Sequence, residues 1–173
     1  PIQLAIMKEL YEGARFTVVG DIAQSIERSG ELSIYDAIPD ILKKSKTVRL
    51  SLNRSYRASF EINEFAKNIA DGGGECISFP RYEEMPEVLS SISEYSLLEM
   101  MLERVQRYFG EGYETAAILC KTMKQADILY ERLKGRTEFK IVGGRDEQTD
   151  KGCMVMPVYA AKGLEFDAVL VYG

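Results

Sequence analysis

Three clusters of side chains in this sequence carry groups suited to phosphate and nucleotide chemistry. Gly20-Asp21-Ile22-Ala23-Gln24-Ser25 follows the apolar run 15–19. Asn53-Arg54-Ser55-Tyr56-Arg57 follows the alternating run 47–52. Ala160-Ala161-Lys162-Gly163-Leu164-Glu165-Phe166 follows the run 153–159. A guanidinium grips terminal phosphate oxygens in bidentate fashion, and a neutral amide can sense a γ-phosphate. The face of Tyr56 offers a surface on which a base can stack. Lys162 adds an ammonium, and the Glu165 carboxylate can accept protons from ribose hydroxyls. Each residue alone is ordinary in a loop. Three such loops in order, each behind a strand-like run, point to a nucleoside triphosphate.

The elements that must hold these loops can be read from periodicity. The opening residues 1–10 have the character of a helix already under way. The runs 15–19 and 47–52 predict strands, and Ile34, Ala37, Ile38, Ile41 and Leu42 form a helical face that Pro39 should break. Ser59 is the expected N-cap of a helix with its apolar stripe at Ile62, Phe65, Ala66 and Ile69. Residues 71–75 end that helix; their three glycines follow no strand and precede no Gly-Lys-Ser/Thr, so a turn is expected rather than a phosphate cradle. The stretch 75–93 is ambiguous, with a candidate strand around 76–79 and a loop between Pro80 and Pro86.

Further along, the stripe from Leu97 to Phe109 is the strongest amphipathic helix in the chain, and its Met and aromatic members are core residues. Residues 115–120 read as a buried strand, and Ala126, Leu129, Tyr130 and Leu133 as a helix closed by Gly135. Strands are expected at 139–142, 153–159 and 168–172. Buried strands alternating with helices of this length specify an α/β fold with a mostly parallel sheet and helices on both faces. In such sheets ligands lie beyond the carboxyl ends of the strands, which is where the three clusters fall.

Composition removes several classes of chemistry. With no histidine in 173 residues, Ser-His-Asp and Cys-His catalysis are excluded, as are zinc sites of ordinary spacing. Cys76, Cys120 and Cys153 form no CxxC pair, and Cys120 and Cys153, in apolar strand-like runs, read as small core residues in a reducing cytosol, so no metal ligand is assigned and a cytoplasmic location is expected. No apolar run has membrane-spanning length. The net charge of −5 lacks the basic excess of a general nucleic-acid binder, so any nucleic-acid contact must be a local strip or be shared with another domain.

The three clusters resemble motifs III, IV and V of the UvrD/Rep-like superfamily-one helicases. Residues 18–26 (VVGDIAQSI) are similar to motif III, and 52–62 (LNRSYRASFEI) to motif IV. Residues 157–171 (PVYAAKGLEFDAVLV) are similar to motif V, whose Ala-Lys-Gly-Leu-Glu-Phe core is highly specific. Pro157-Val158-Tyr159 at the head of motif V, where most relatives carry Thr-x-His, resembles the HelD branch, often labelled DNA helicase IV, whose members act on RNA polymerase.

The resemblance implies a RecA-like P-loop NTPase-type fold. Residues 1–45 would be the tail of a first RecA-like domain carrying motif III, and 46–173 a second such domain carrying motifs IV and V. Gln24 would sense the γ-phosphate, Tyr56 would stack on adenine and Arg57 would hold the γ-phosphate. Lys162 and Gly163 would approach the phosphates, and Glu165 the ribose. Asp21 would stand near the Mg²⁺ or cap its own loop. The implied ligands are ATP and Mg²⁺, with the metal's ligands mostly in a missing N-terminal RecA-like domain. The implied partners are DNA, single-stranded or duplex, and RNA polymerase.

Two features depart from the family pattern. Gln24-Ser25-Ile26 leads into Glu27-Arg28-Ser29-Gly30, where relatives carry an aromatic residue and then an aromatic-Arg-Gly triplet. Ser55 replaces the usual Asn before Tyr-Arg. The sequence contains no Gly-x-x-x-x-Gly-Lys-Ser/Thr and stops before the place of the last arginine motif, so it reads as cut at both ends. The expectation is a fragment of an ATP-dependent helicase or translocase that is inactive alone. The alternatives are a non-catalytic RecA-like binding module, a HelD-type ATPase that remodels RNA polymerase without unwinding DNA, or an unrelated nucleotide-binding α/β domain.

Overall fold

A computed structural model describes residues 2–21, 33–44, 46–69, 77–136, 141–143 and 151–173. The chain forms two compact units, Pro1–Glu87 and Val88–Gly173. The stretches that resemble motifs III and IV lie in the first unit and the one that resembles motif V in the second. The protein is α/β, with helices and two parallel sheets. Among the described residues no helix is long and apolar enough to cross a membrane.

The first unit contains helices α1 (Ile2–Leu10), α2 (Ser33–Leu42) and α3 (Phe60–Ile69). Strands β1 (Arg54–Ser55) and β2 (Ile77–Ser78) pair in parallel, Arg54 opposite Ile77 and Ser55 opposite Ser78. Helix α2 does not break at Pro39. The ring forfeits one hydrogen bond, to the Tyr35 carbonyl, but Ile38, Ile41 and the buried Leu42 keep an apolar stripe that holds the helix together. The helix closes with the Lys43 N–H on the Asp40 carbonyl (3.2 Å) and the Lys44 N–H on the Pro39 carbonyl (3.1 Å). That is a Schellman closure, and it puts Lys43 at φ 49°, a position usually given to glycine.

The strands expected at 15–19 and 47–52 are not found; both stretches have neither helix nor ladder. Their apolar side chains stand in the open, Val19 at 86% exposure and Leu52 at 94%. β-Branched and apolar residues favour extended backbone, but a strand forms only where a neighbouring strand accepts its hydrogen bonds. Side chains tether these stretches instead. Arg49 pairs with Asp36 at 2.6 Å and lies over the Tyr35 ring, while Lys44 reaches the Glu12 carbonyl.

The second unit is built on strands β3 (Thr115–Cys120), β4 (Ile141–Gly143), β5 (Gly152–Pro157) and β6 (Ala168–Tyr172), all parallel in the order β4-β5-β3-β6. Helices α4 (Glu94–Gly110) and α5 (Met123–Leu133) accompany them. Alternation along the strands sends Ile118, Cys120, Cys153, Val155 and Ala168 to one face. There they meet Leu98, Met101, Leu102 and Val105 of α4 and Ala126, Leu129 and Leu133 of α5. Val105, Leu133 and Val155 are completely buried. Helix α5 starts at Thr122, whose hydroxyl accepts the Gln125 N–H, and is followed by Gly135 at φ 74°.

Helices were expected on both faces of the sheet. Among the described residues of this unit, both helices lie on the one face. Met154, Met156 and Leu119 on the other are covered by Ala161, Leu164 and Phe166 of the connection between β5 and β6. That connection is the motif V loop, so the same residues complete the core and present the candidate site.

Candidate functional site

Tyr56 and Arg57 occupy the corner where β1 passes into α3. The corner is fixed from the helix side by Ser59, which is completely buried. Its hydroxyl accepts the Ile62 N–H (3.3 Å) while its carbonyl accepts the Asn63 N–H (3.1 Å), so Ser59 is the N-cap its sequence context predicts. Asn63 adds a side-chain amide bond to the Ala58 carbonyl at 3.3 Å. Tyr56, Arg57 and Ala58, between the strand end and the cap, are thus held at both ends. Tyr56 is 61% exposed, with its ring against Phe79 at a centroid distance of 5.3 Å and a tilt of 42°. One side of the phenol ring is therefore supported and the remainder can receive a flat, apolar ligand group.

The segment after β2 holds this corner from outside. The Ile77 N–H donates to the Asn53 carbonyl (2.6 Å) and the Phe79 N–H to the Ser55 carbonyl (3.0 Å). Beyond the turn at Pro80, the Phe60 N–H donates to the Arg81 carbonyl (2.8 Å) and the Glu83 N–H to the Glu61 carboxylate (2.8 Å). The Phe60 and Tyr82 rings form a second tilted pair at 5.6 Å. Sequence reading offers a candidate strand around 76–79 and a loop from Pro80, and the structure has the strand at Ile77–Ser78. Its signal was the short β-branched and aromatic run before Pro80, too short for periodicity to classify.

Of the motif III cluster, Gly20 and Asp21 are described, and Gln24 lies outside the described residues. Gly20 is packed against α2: a Cβ at this position would lie 2.4 Å from the Tyr35 hydroxyl oxygen. The absence of a side chain thus lets residues 19–21 approach the helix closely.

In the second unit the motif V loop leaves β5 at Pro157. The Val158 N–H donates to the Cys120 carbonyl (2.8 Å), and turns close from Ala160 to Pro157 (2.9 Å) and from Leu164 to Ala161 (3.0 Å). Leu164 and Phe166 point into the Met154–Met156 cluster, whereas Lys162, Gly163 and Glu165 are exposed. Gly163 sits at φ 88°, in the left-handed region, and this residue turns the chain between the outward Lys162 and the inward Leu164.

The loop is anchored at its far end by a residue not among the expected site groups. Asp167 Oδ2 accepts the N–H groups of Glu114 (3.0 Å) and Thr115 (2.9 Å) and the Thr115 hydroxyl (2.9 Å). Hydrogen bonding from Thr115 and then Glu114 holds its carboxyl below the usual carboxylate range. An Asp directly before a buried strand was the available clue, and only the fold reveals that Thr115 opposes it.

The expected site residues thus form two groups. Tyr56 and Arg57 are adjacent on one corner of the first unit, and Lys162, Gly163 and Glu165 share one loop of the second. Cys120 and Cys153 are buried, and desolvation pushes their thiols up to about 11 and about 12, which suits core residues rather than nucleophiles. Among the described residues no group of three or more His, Cys, Asp or Glu side chains could hold a metal ion. No protein-family model matches the chain, and no curated protein sequence matches it.

Proposed function

We propose that this chain is part of an ATP-driven motor of the UvrD/Rep-like superfamily-one type, with RecA-like domains, and supplies one side of its nucleotide site. The observation that carries the reading is the Tyr56-Arg57 corner: a strand-to-helix turn, capped by Ser59, with an exposed phenol ring supported by Phe79 and the exposed Arg57 next to it in the chain. A purine stacked on Tyr56 would leave its triphosphate within the province of Arg57. The motif V loop supports the reading independently, because Ala161, Leu164 and Phe166 pack against the sheet while Lys162 and Glu165 lie at the surface.

In this reading ATP is the substrate and its hydrolysis drives movement of a polymer or a bound protein. Tyr56 orients the base, Arg57 and Lys162 neutralise phosphate charge, Glu165 accepts from the ribose, and Gln24 reports the γ-phosphate. In this reading the Mg²⁺ ligands lie mostly in a further domain that carries the P-loop. The test is Arg57→Ala in the full-length protein. Loss of ATP turnover by about 10²-fold or more is expected for a group that stabilises transferring phosphate; turnover near the wild-type value overturns the assignment.

A second reading, a HelD-type ATPase that remodels RNA polymerase, is favoured by Glu27-Arg28-Ser29-Gly30 in place of base-stacking residues and by the acidic balance. ATPase stimulated by polymerase but not by single-stranded DNA supports this reading, and the reverse supports a DNA translocase. A non-catalytic module would bind nucleotide without turnover.

A further inference from the structure

We infer that the segment 77–83 is a positioning element for nucleotide recognition, with Phe79 orienting the Tyr56 ring and Arg81 fixing the backbone that aims Arg57. The inference rests on the nucleotide reading above and adds two residues to it.

The segment runs beside residues 53–61 and is bonded to them at every second step. Ile77 reaches Asn53, Phe79 reaches Ser55, Arg81 accepts from Phe60, and Glu83 reaches Glu61. Midway, the Arg81 N–H donates to the Phe79 carbonyl at 2.8 Å, a three-residue turn around Pro80. That turn places the Phe79 ring on Tyr56 and brings the Arg81 guanidinium back under the corner. Arg81 Nη1 donates to the Arg57 carbonyl at 3.4 Å, while its Nε and Nη2 both hold Glu83 Oε1 at 2.8 Å. Glu83 thereby fixes the direction of Arg81, and Arg81 in turn holds the peptide of the phosphate-binding residue.

The physical consequence is preorganisation. An exposed tyrosine samples several rotamers, and a ligand that needs one of them must immobilise the ring on binding. Phe79 packs against Tyr56 in the free protein and removes part of that entropic penalty. It acts on Tyr56 without itself touching the ligand, so it should influence binding of the base and leave phosphate chemistry alone.

The experiment uses steady-state ATPase measurements on the full-length protein with Phe79→Leu, Phe79→Tyr, Arg81→Gln and Tyr56→Ala. Phe79→Leu keeps the apolar volume and removes the aromatic contact. It is expected to raise KM for ATP about three- to tenfold, as for loss of an aromatic pair, with kcat within about twofold. It should also narrow the preference for ATP over a pyrimidine triphosphate. Phe79→Tyr should restore both. Arg81→Gln should lower kcat, through Arg57, and leave base preference unchanged. A purely structural role predicts instead that Phe79→Leu lowers kcat in step with its folded fraction, read by urea unfolding, and keeps base preference fixed, and that Arg81→Gln lowers kcat only in proportion to its own folded fraction; either result overturns the positioning role of that residue. If Tyr56→Ala shifts KM and Phe79→Leu does not, the positioning role alone fails. If neither shifts KM, the nucleotide reading fails and this inference with it.

Discussion

Asp167 and Thr115 bind each other reciprocally: the Thr115 hydroxyl donates to Asp167 Oδ2 at 2.9 Å and the same hydroxyl oxygen accepts the Asp167 N–H at 3.0 Å. The Thr115 and Glu114 backbone N–H groups complete the set on that oxygen. The pair joins the start of β3 to the start of β6 and so fixes where the motif V loop must end. The carboxyl of Asp167 is held below its ordinary value by these donors, meaning the folded state favours the charged form.

Asp167→Asn tests that lock. A carboxyl with a lowered folded-state value contributes stability above its unfolded value, and that contribution disappears as pH falls through the folded value. Asp167 is exposed, so the gain is discounted for solvent screening to about 1 kcal/mol. Urea unfolding at pH 7 should show the variant less stable by that amount, with the gap closing below about pH 4. A gap that persists unchanged at low pH would mean that charge plays no part.

Cys120 and Cys153 are expected to be inert in the folded protein. Both are buried, and their thiols are raised to about 11 and about 12, so almost no thiolate exists at pH 8. An aromatic disulfide reagent at that pH should modify Cys120 and Cys153 only as fast as the protein unfolds, and both at once in denaturant. Rapid modification of either Cys120 or Cys153 in native buffer would contradict the packing described here.

How far the sequence could be read differs between the two units. In the second unit the signals are self-sufficient. Residues 115–120 and 168–172 are strands because their alternate side chains join one apolar cluster with the helices encoded beside them. Ser59 was legible as a cap for the same reason, since its partner Ile62 lies three residues away. The runs 15–19 and 47–52 have equal β propensity but no hydrogen-bonding neighbour, and propensity alone did not make them strands. Pro39 misled in the opposite direction, because one lost bond weighs less than a continuous apolar stripe. At the candidate site, Tyr56, Arg57 and the motif V loop could be named in advance because their chemistry is in their own side chains. Phe79, Arg81 and Asp167 could not, since their roles exist only through residues 23 to 53 positions away.

Lys43→Gly should stabilise the first unit. Lys43 holds φ 49° to complete the Schellman closure of α2, and its Cβ makes that conformation unfavourable. Glycine adopts it freely but is more flexible when unfolded, so the net gain is about 0.5–1 kcal/mol. Thermal unfolding should show a midpoint higher by a few degrees. A lower midpoint would indicate that the Lys43 side chain supplies a contact outweighing the backbone strain.

Gly163→Ala separates conformation from crowding in the motif V loop. A Cβ at Gly163 meets no atom within 4 Å, so there is room for a methyl group. The backbone at φ 88° is nonetheless one that L-residues rarely adopt, and alanine should lower stability by about 1–2 kcal/mol or force the loop to a new path. Leu164 and Phe166 are seated among Met154 and Met156, so the path that yields is the outward one carrying Lys162 and Glu165. In the full-length protein the nucleotide reading then expects a raised KM for ATP in Gly163→Ala, with partial recovery in Gly163→Asn, because asparagine tolerates left-handed backbone better than alanine. Equal activity of the glycine and alanine proteins, measured alongside a matching loss of stability, would show that the loop's conformation matters to the fold and not to the nucleotide.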